Sequence, residues 1–195
     1  MIPSRRAFDE GAGEYDRWFA GHPDIYAAQM RALRAAIPLP GNGLEVGVGS
    51  GRFAGPLGLS CGIDPSRGMA RMAKRRGIEV AVGEGEHLPY RKGSFDLVLM
   101  MTVICFVADP LPVFRESYRV LAPGGDLVVG FIEESGEIAT RYRSGKTKGR
   151  FLQFARFRKA GEVTRFFEDA GFREVAVMRR AGGFSVMRGK KQRDQ

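Results

Sequence analysis

The chain of 195 residues carries two cysteines, two histidines and one tryptophan. Cys61 and Cys105 are too few for the disulfide framework of a small secreted domain, and they lack metal-ligand spacing. They are expected to stay reduced in a cytoplasmic protein. Long apolar runs are also missing: the longest, Leu97 to Ala108, contains Thr102 and is too short for a membrane span. The first residues, Met1 to Arg6, lack the apolar core of a secretory signal, and no internal repeat is apparent. Acidic residues are in deficit, 22 against 31 Lys and Arg, for a net charge of +9. That balance keeps a polyanionic partner in view. Much of the excess is dispersed, however, with one cluster at Arg71, Lys74, Arg75 and Arg76 and a tail from Arg188 to Arg193. Tails of that kind are usually solvated and disordered.

What the chain has is 27 glycines, and three of them are placed to do chemistry. Leu44-Glu45-Val46-Gly47-Val48-Gly49-Ser50-Gly51-Arg52-Phe53 runs from a β-prone start into strictly alternating glycines. Gly47, Gly49 and Gly51 remove side chains where close approach or positive φ is needed. Amides opening the next helix can then meet an anionic group, and Glu45 can accept from a cationic group on the same ligand. A dinucleotide fingerprint needs G-x-G-x-x-G and a Walker loop needs G-K-[ST]; neither fits Gly51-Arg52-Phe53. Cys61 to Ser66 is a second short strand ending in Asp64, where an acid can accept from both ribose hydroxyls. Loop and acid together imply an adenosine-containing ligand.

The spacing predicts helices over about 4 to 20, 23 to 36, Phe53 to Gly58, Ser66 to Arg76, Pro110 to Leu121 and Glu162 to Ala170. Strands are expected before Asp64, at Glu79 to Val82, Phe95 to Met100 and Leu127 to Phe131. Pro38-Leu39-Pro40-Gly41 separates the N-terminal helices from the first strand. Phe172 to Met178 and Phe184 to Arg188 are spaced for a closing antiparallel hairpin across Ala181-Gly182-Gly183. The order of elements predicts an α/β fold, a mostly parallel sheet wound on both faces with right-handed crossovers. Its ligand belongs beyond the carboxyl ends of the strands, at the switch in winding direction.

The motifs occur in an order that resembles the class I S-adenosylmethionine-dependent methyltransferases, of the small bacterial type similar to the ubiquinone/menaquinone enzymes. Leu44 to Phe53 matches motif I, and Asp64 the ribose acid. Gly83-Glu84-Gly85-Glu86-His87-Leu88-Pro89-Tyr90 matches G-[DN]-A-E-x-L-P-[FY], and Ser94 to Leu99 the S-F-D-x-[VL] strand. Arg119-Val120-Leu121-Ala122-Pro123-Gly124-Gly125 matches R-V-L-x-P-G-G. The likeness covers most of residues 41 to 131, and Ala155-Arg156-Phe157 with Ala170-Gly171-Phe172 extends it. It implies a Rossmann-like seven-stranded sheet of order 3-2-1-4-5-7-6 in a single catalytic domain. Residues 1–40 would be a helical cover, 41–131 the cofactor core, 132–160 a substrate lid, 161–188 a closing helix and hairpin, and 189–195 a basic tail. The cofactor implied is S-adenosyl-L-methionine, with Glu45, Gly47, Gly49, Gly51, Asp64, Pro65, Glu84, Gly85, Met101, Thr102 and Tyr15 around it and no metal.

Plain alternatives stand beside these roles. Glu45 can cap the loop, and Asp64 can cap the helix near Ser66. Glu84 and Gly85 replace the usual Asp or Asn and Ala, and Leu88 borders the adenine or joins the core. The block Phe8-Asp9, Tyr15-Asp16, Trp18-Phe19 resembles the F-D-x-x-A-x-x-Y-D opening whose Tyr reaches the methionine moiety; a simple amphipathic helix is the other reading. The insertion Glu133 to Phe157, with Arg141, Arg143, Lys146, Lys148 and Arg150, is a lid or a solvated basic surface. No general base is assigned. His87 reads as exposed, His22 as a helix boundary, and Val103-Ile104-Cys105-Phe106 stands where the family often has a His pair. That favours an apolar acceptor pocket. A small-molecule acceptor is expected, ahead of RNA and of a non-catalytic cofactor-binding protein; the oligomeric state is not indicated.

Overall fold

Seven segments extend as strands: β1 (Gly43–Val46), β2 (Cys61–Asp64), β3 (Glu79–Val82), β4 (Phe95–Met101), β5 (Leu121–Ile132), β6 (Arg173–Ala181) and β7 (Phe184–Lys190). In the computed structural model they pair as one sheet of order β3-β2-β1-β4-β5-β7-β6, as expected. β1 to β5 are parallel, and β7 is antiparallel to both β5 and β6. The structure describes residues 3–38, 41–145 and 149–193. Expectations on Leu39, Pro40, Lys146 and Lys148 lie outside the described residues.

Alternation along the central strands divides the core. On β4, Leu97, Leu99 and Met101 face one hydrophobic cluster while Phe95, Val98 and Met100 face the other. Helices cover both faces, which is why these strands are apolar on each side. Leu33 of α2 (Pro23–Ala36), Phe19 of α1 (Pro3–Gly21) and Ala73 of α3 (Arg67–Arg75) pack on the first face. Phe114 of α4 (Leu111–Val120) and Phe167 of α6 (Ala160–Asp169) pack on the second. Ser66 caps α3 by accepting from the Met69 amide at 3.1 Å. Gly182 and Gly183, with φ of 58° and 81°, turn β6 into β7, the two-residue geometry that positive φ allows.

Three expectations are corrected, and one helix is added to the expected elements. The helix placed over Phe53 to Gly58 is only a 3-10 turn, Gly55–Leu57, because Pro56 and the left-handed Gly58 (φ 78°) prevent a longer run. A helix, α5 (Glu137–Arg143), occupies the insertion. β5 begins at Leu121, six residues early, and an irregularity opposite Phe95 and Leu97 absorbs the extra length. Finally, the residues assigned to a basic tail start inside the sheet: Gly189 and Lys190 belong to β7, and Lys191 is buried, its Nζ donating to the carbonyls of Tyr118 and Leu121 at 2.8 and 2.7 Å. Among the described residues no helix is long and apolar enough to cross a membrane.

Candidate functional site

A cavity of about 300 Å³ opens beyond the carboxyl ends of β1, β2, β3 and β4. Gly47 and Gly49 follow β1, Asp64 ends β2 with Pro65 after it, Glu84 and Gly85 follow β3, and Met101 ends β4 with Thr102 after it; all eight lie on the wall. Tyr15 and Phe8 of α1 close it from above. Glu45 and Gly51, also expected there, are not on the wall.

The glycines have separable reasons. Gly47 has φ 68°, and a Cβ there would run into Val103 across the cavity floor. Gly49 has φ 53°, and its Cβ would point toward the Tyr15 ring 4.0 Å away. At Gly51 (φ 81°) a Cβ would lie 3.1 Å from the Ala73 backbone, so this glycine seats α3 against the loop and does not face the cavity. The amides expected from a following helix are replaced by those of turns, since only the 3-10 segment follows.

Asp64 is held by amides on both sides: Oδ2 accepts from Gly49 and Oδ1 from Ser66, each at 2.8 Å. The helix cap is therefore Ser66, and Asp64 faces the cavity. Burial pushes its carboxyl up to about 6, against the pull of the Ser66 and Gly49 amides. Glu45 is 1% exposed, and its Oε2 has no hydrogen-bond partner. Burial drives its pKa well above the ordinary carboxylate value, the Ala54 amide opposing and Asp64 adding to the rise. A buried carboxyl oxygen without a donor carries a cost unless something supplies one.

Over the cavity, burial raises the Tyr15 phenol, against the effect of the Thr102 hydroxyl facing it. Thr102 itself sits at φ 55°, a conformation strained for a β-branched residue. Its amide donates to the Gly130 carbonyl at 2.7 Å, and its own carbonyl accepts from the Cys105 thiol at 3.1 Å. Burial pushes that thiol up to about 12.

Two residues that hold the site went unassigned in the sequence, although both stand in the opening block. Asp9 accepts from the Ser66 hydroxyl at 2.8 Å and the Gly68 amide at 3.1 Å. Burial opposes ionisation, but those donors and Arg5 keep its carboxyl below the usual range. Asp16 accepts from Ser50 at 2.7 Å, Arg52 at 2.8 Å and Arg76 at 3.0 Å. Burial again opposes, and Arg52, Ser50 and Arg76 outweigh it to hold the carboxyl well below its ordinary value. The position that spoils a Walker pattern, Arg52, is thus the partner that ties α1 to the glycine loop.

Other candidates fall elsewhere. Glu84 lies on the wall with its carboxylate 4.0 Å from the Arg5 guanidinium. Leu88 is buried in the second core cluster, off the wall. His87 is exposed, and His22 stacks on Trp18 at 4.3 Å while its Nδ1 donates to the Trp18 carbonyl at 2.8 Å. The described part of the insertion folds back on α1: Phe151 stacks on Phe8 at 5.1 Å, and Arg150 reaches Glu10 and Glu14 at 3.3 and 3.2 Å. Among the described residues no group of three or more His, Cys, Asp or Glu could hold a metal ion.

The residues fit a sulfonium nucleoside. On the wall, a bare backbone loop and an acid at the second strand suit a carboxylate and a ribose in turn, and the unpartnered oxygen of Glu45, buried off the wall, has capacity for an ammonium. A family model described as a methyltransferase domain matches residues 44–129. An uncharacterized protein of Methanocaldococcus jannaschii is 39% identical over 168 residues, 86% of this chain and 82% of that one. An uncharacterized Mycobacterium tuberculosis protein is 41% identical over 90% of this chain, which spans 63% of that longer protein. A malonyl-[acyl-carrier protein] O-methyltransferase of Geobacter sulfurreducens is 32% identical over 89% of this chain and 71% of its own length. A crystal structure from Thermotoga maritima, described as a SAM-dependent methyltransferase and possible histamine N-methyltransferase, aligns with TM-score 0.89 and 36% identity over 96% of this chain and 99% of that one. With the strand order and the glycine loop, these likenesses show that the chain belongs to the class I S-adenosylmethionine-dependent methyltransferases and uses S-adenosyl-L-methionine.

Proposed function

We propose that the enzyme methylates a small-molecule acceptor by in-line displacement at the β4 end of the cavity. The observation that carries this reading is the partial roof: Phe8 and Tyr15 of α1 cover the strand tips, with Phe151 stacked on Phe8 behind them, leaving a half-open cavity of about 300 Å³. The cofactor takes up most of that volume, and the space left at the β4 end suits a compact acceptor. In this reading Glu45 takes the ammonium of the bound nucleoside amino acid, Gly47 and Gly49 present backbone to its carboxylate, and Asp64 takes the ribose hydroxyls. Pro65, Glu84 and Gly85 border the adenine, and Met101, Thr102 and Tyr15 border the methionine end. Gly51 supports the loop from behind.

The cofactor supplies an activated methyl group on positive sulfur. The chain's own work is to align acceptor and donor at an approach of about 3 Å and to keep water out. Phe8, Tyr15 and Phe106 supply an apolar wall for that purpose. The free thiols Cys61 and Cys105 support the cytoplasmic setting expected from composition. The test is calorimetric titration with S-adenosylhomocysteine, followed by metabolite profiling with methyl-labelled cofactor. Binding together with a labelled low-mass product is expected; label appearing only in RNA would overturn the reading.

A further inference from the structure

Charge is distributed unevenly around the cavity. Among the described residues, the carboxylates on its wall are Asp64, Glu84 and Glu86, and the guanidinium is that of Arg5; all are at the β2–β3 side. In a sheet of order β3-β2-β1-β4 the β3 and β4 tips are three strand spacings apart, on the order of 14 Å at 4.8 Å each. At the β4 side the wall is Phe8, Tyr15, Thr102, Val103, Phe106 and Val107. Thr102 spends its hydroxyl on the Met101 carbonyl at 2.8 Å. Among the described residues that line this end, no side chain carries a charge or can remove a proton at neutral pH; the Arg158 guanidinium behind the wall is taken up by Glu162 and by the Val107 and Ala108 carbonyls. The Tyr15 phenol and Cys105 thiol are both raised by burial and hold their protons.

A charged acceptor would be stripped of water here without compensation. An alcohol or an ammonium would need a base that this wall does not provide. Flat aromatic walls favour a flat partner and also stabilise a cation passing over them. From this, and resting on the function proposed above, we infer that the acceptor is an uncharged aromatic nitrogen heterocycle, methylated on a ring nitrogen that carries no proton. The nitrogen lone pair forms a bond to the methyl carbon, the carbon–sulfur bond breaks, and its electron pair stays on sulfur. Positive charge moves from sulfur to the ring nitrogen, and no proton changes hands. An ammonium arm on the heterocycle would find no carboxylate at this end, so such amines are poor acceptors.

The probes are pyridine, quinoline, isoquinoline and N-methylimidazole, offered to the full chain with methyl-labelled cofactor. Formation of the N-methylated cation is expected for at least one, with calorimetric binding of that probe to protein loaded with S-adenosylhomocysteine. At saturating cofactor the rate should fall only below the probe's own pKa and stay flat above it. Phe106→Leu should raise the KM of the reactive heterocycle by roughly fivefold to tenfold, the scale of a lost aromatic contact, with less than a twofold change in S-adenosylhomocysteine affinity. No transfer to any of the four probes, faster transfer to carboxylates, phenols or ammonium-bearing amines, or an alkaline rise in rate would each overturn the acceptor class while leaving cofactor binding intact. Failure to bind S-adenosylhomocysteine would instead overturn the reading beneath it.

Discussion

Asp64 meets the solvent-facing cavity with both oxygens already engaged by the amides of Gly49 and Ser66. Its folded pKa of about 6 exceeds the ordinary 3.8. A group raised in this way favours folding while protonated: its contribution is full below about pH 4 and is lost as pH rises through about 6. Ribose hydroxyls donate, so ligand binding prefers the ionised form instead. Affinity for S-adenosylhomocysteine is therefore expected to fall roughly tenfold from pH 7 to pH 5, following the ionised fraction. Asp64→Asn should flatten that profile, and Asp64→Ala should cost about 1.5 to 3 kcal/mol of binding, the range for hydrogen bonds to a charged group. Calorimetry across pH checks both. Asp64 was legible because an acid at a strand end beside a glycine loop has few other uses. The partner of Glu45 was less so, since whether a carboxyl oxygen is orphaned depends on burial that spacing does not reveal.

α1 is the element on which the cavity depends. Asp9 fastens its first half to the start of α3, and Asp16 fastens its second half to Ser50, Arg52 and Arg76. Removing one partner of a largely buried charged cluster typically costs about 3 to 5 kcal/mol; because Arg52 and Arg76 keep some solvent, Asp16→Ala is expected to cost about 2 to 4 kcal/mol. Denaturant unfolding measures this, and S-adenosylhomocysteine affinity should drop with it because the roof loosens. The Asp16 carboxyl is held low, so its stabilisation is present above the ordinary carboxylate pKa and disappears as pH falls below it. Elements with strong periodicity or apolar alternation were readable: α1, α2, α4, β4 and the hairpin. α5 was not, because Glu137-Ile138-Ala139-Thr140 offers a single turn of pattern. The segment after the glycine loop misled because its apolar residues pack as turns around Pro56. Lys191 resembled tail sequence, and only its place beside β5 shows why a lysine there is buried.

At the scale of the whole molecule, the +9 charge is unevenly available. Arg52, Arg76, Arg119 and Arg158 are each committed to a carboxylate of the same chain. Arg67, Arg71, Lys74 and Arg75 remain exposed along α3. Such a stripe attracts polyanions without reading them, and that attraction decays steeply with salt. Homopolymeric RNA is accordingly expected to bind at 20 mM salt and to release by about 300 mM, a range over which counterion release dominates. S-adenosylhomocysteine affinity should change less than twofold across the same titration, since its contacts are sheltered. Fluorescence anisotropy and calorimetry in parallel would separate the two. RNA binding that persisted at high salt would reveal a specific surface.

The stacked rings of Phe8 and Phe151, with Arg150 anchored to Glu10 and Glu14, couple two sequence-distant pieces into one shutter. The expected outcome is that release of spent nucleoside requires both pieces to swing together, a motion that drags against the surrounding liquid. Turnover should then slow as sucrose thickens the medium. Phe151→Ala, by freeing one leaf from the other, should blunt that drag.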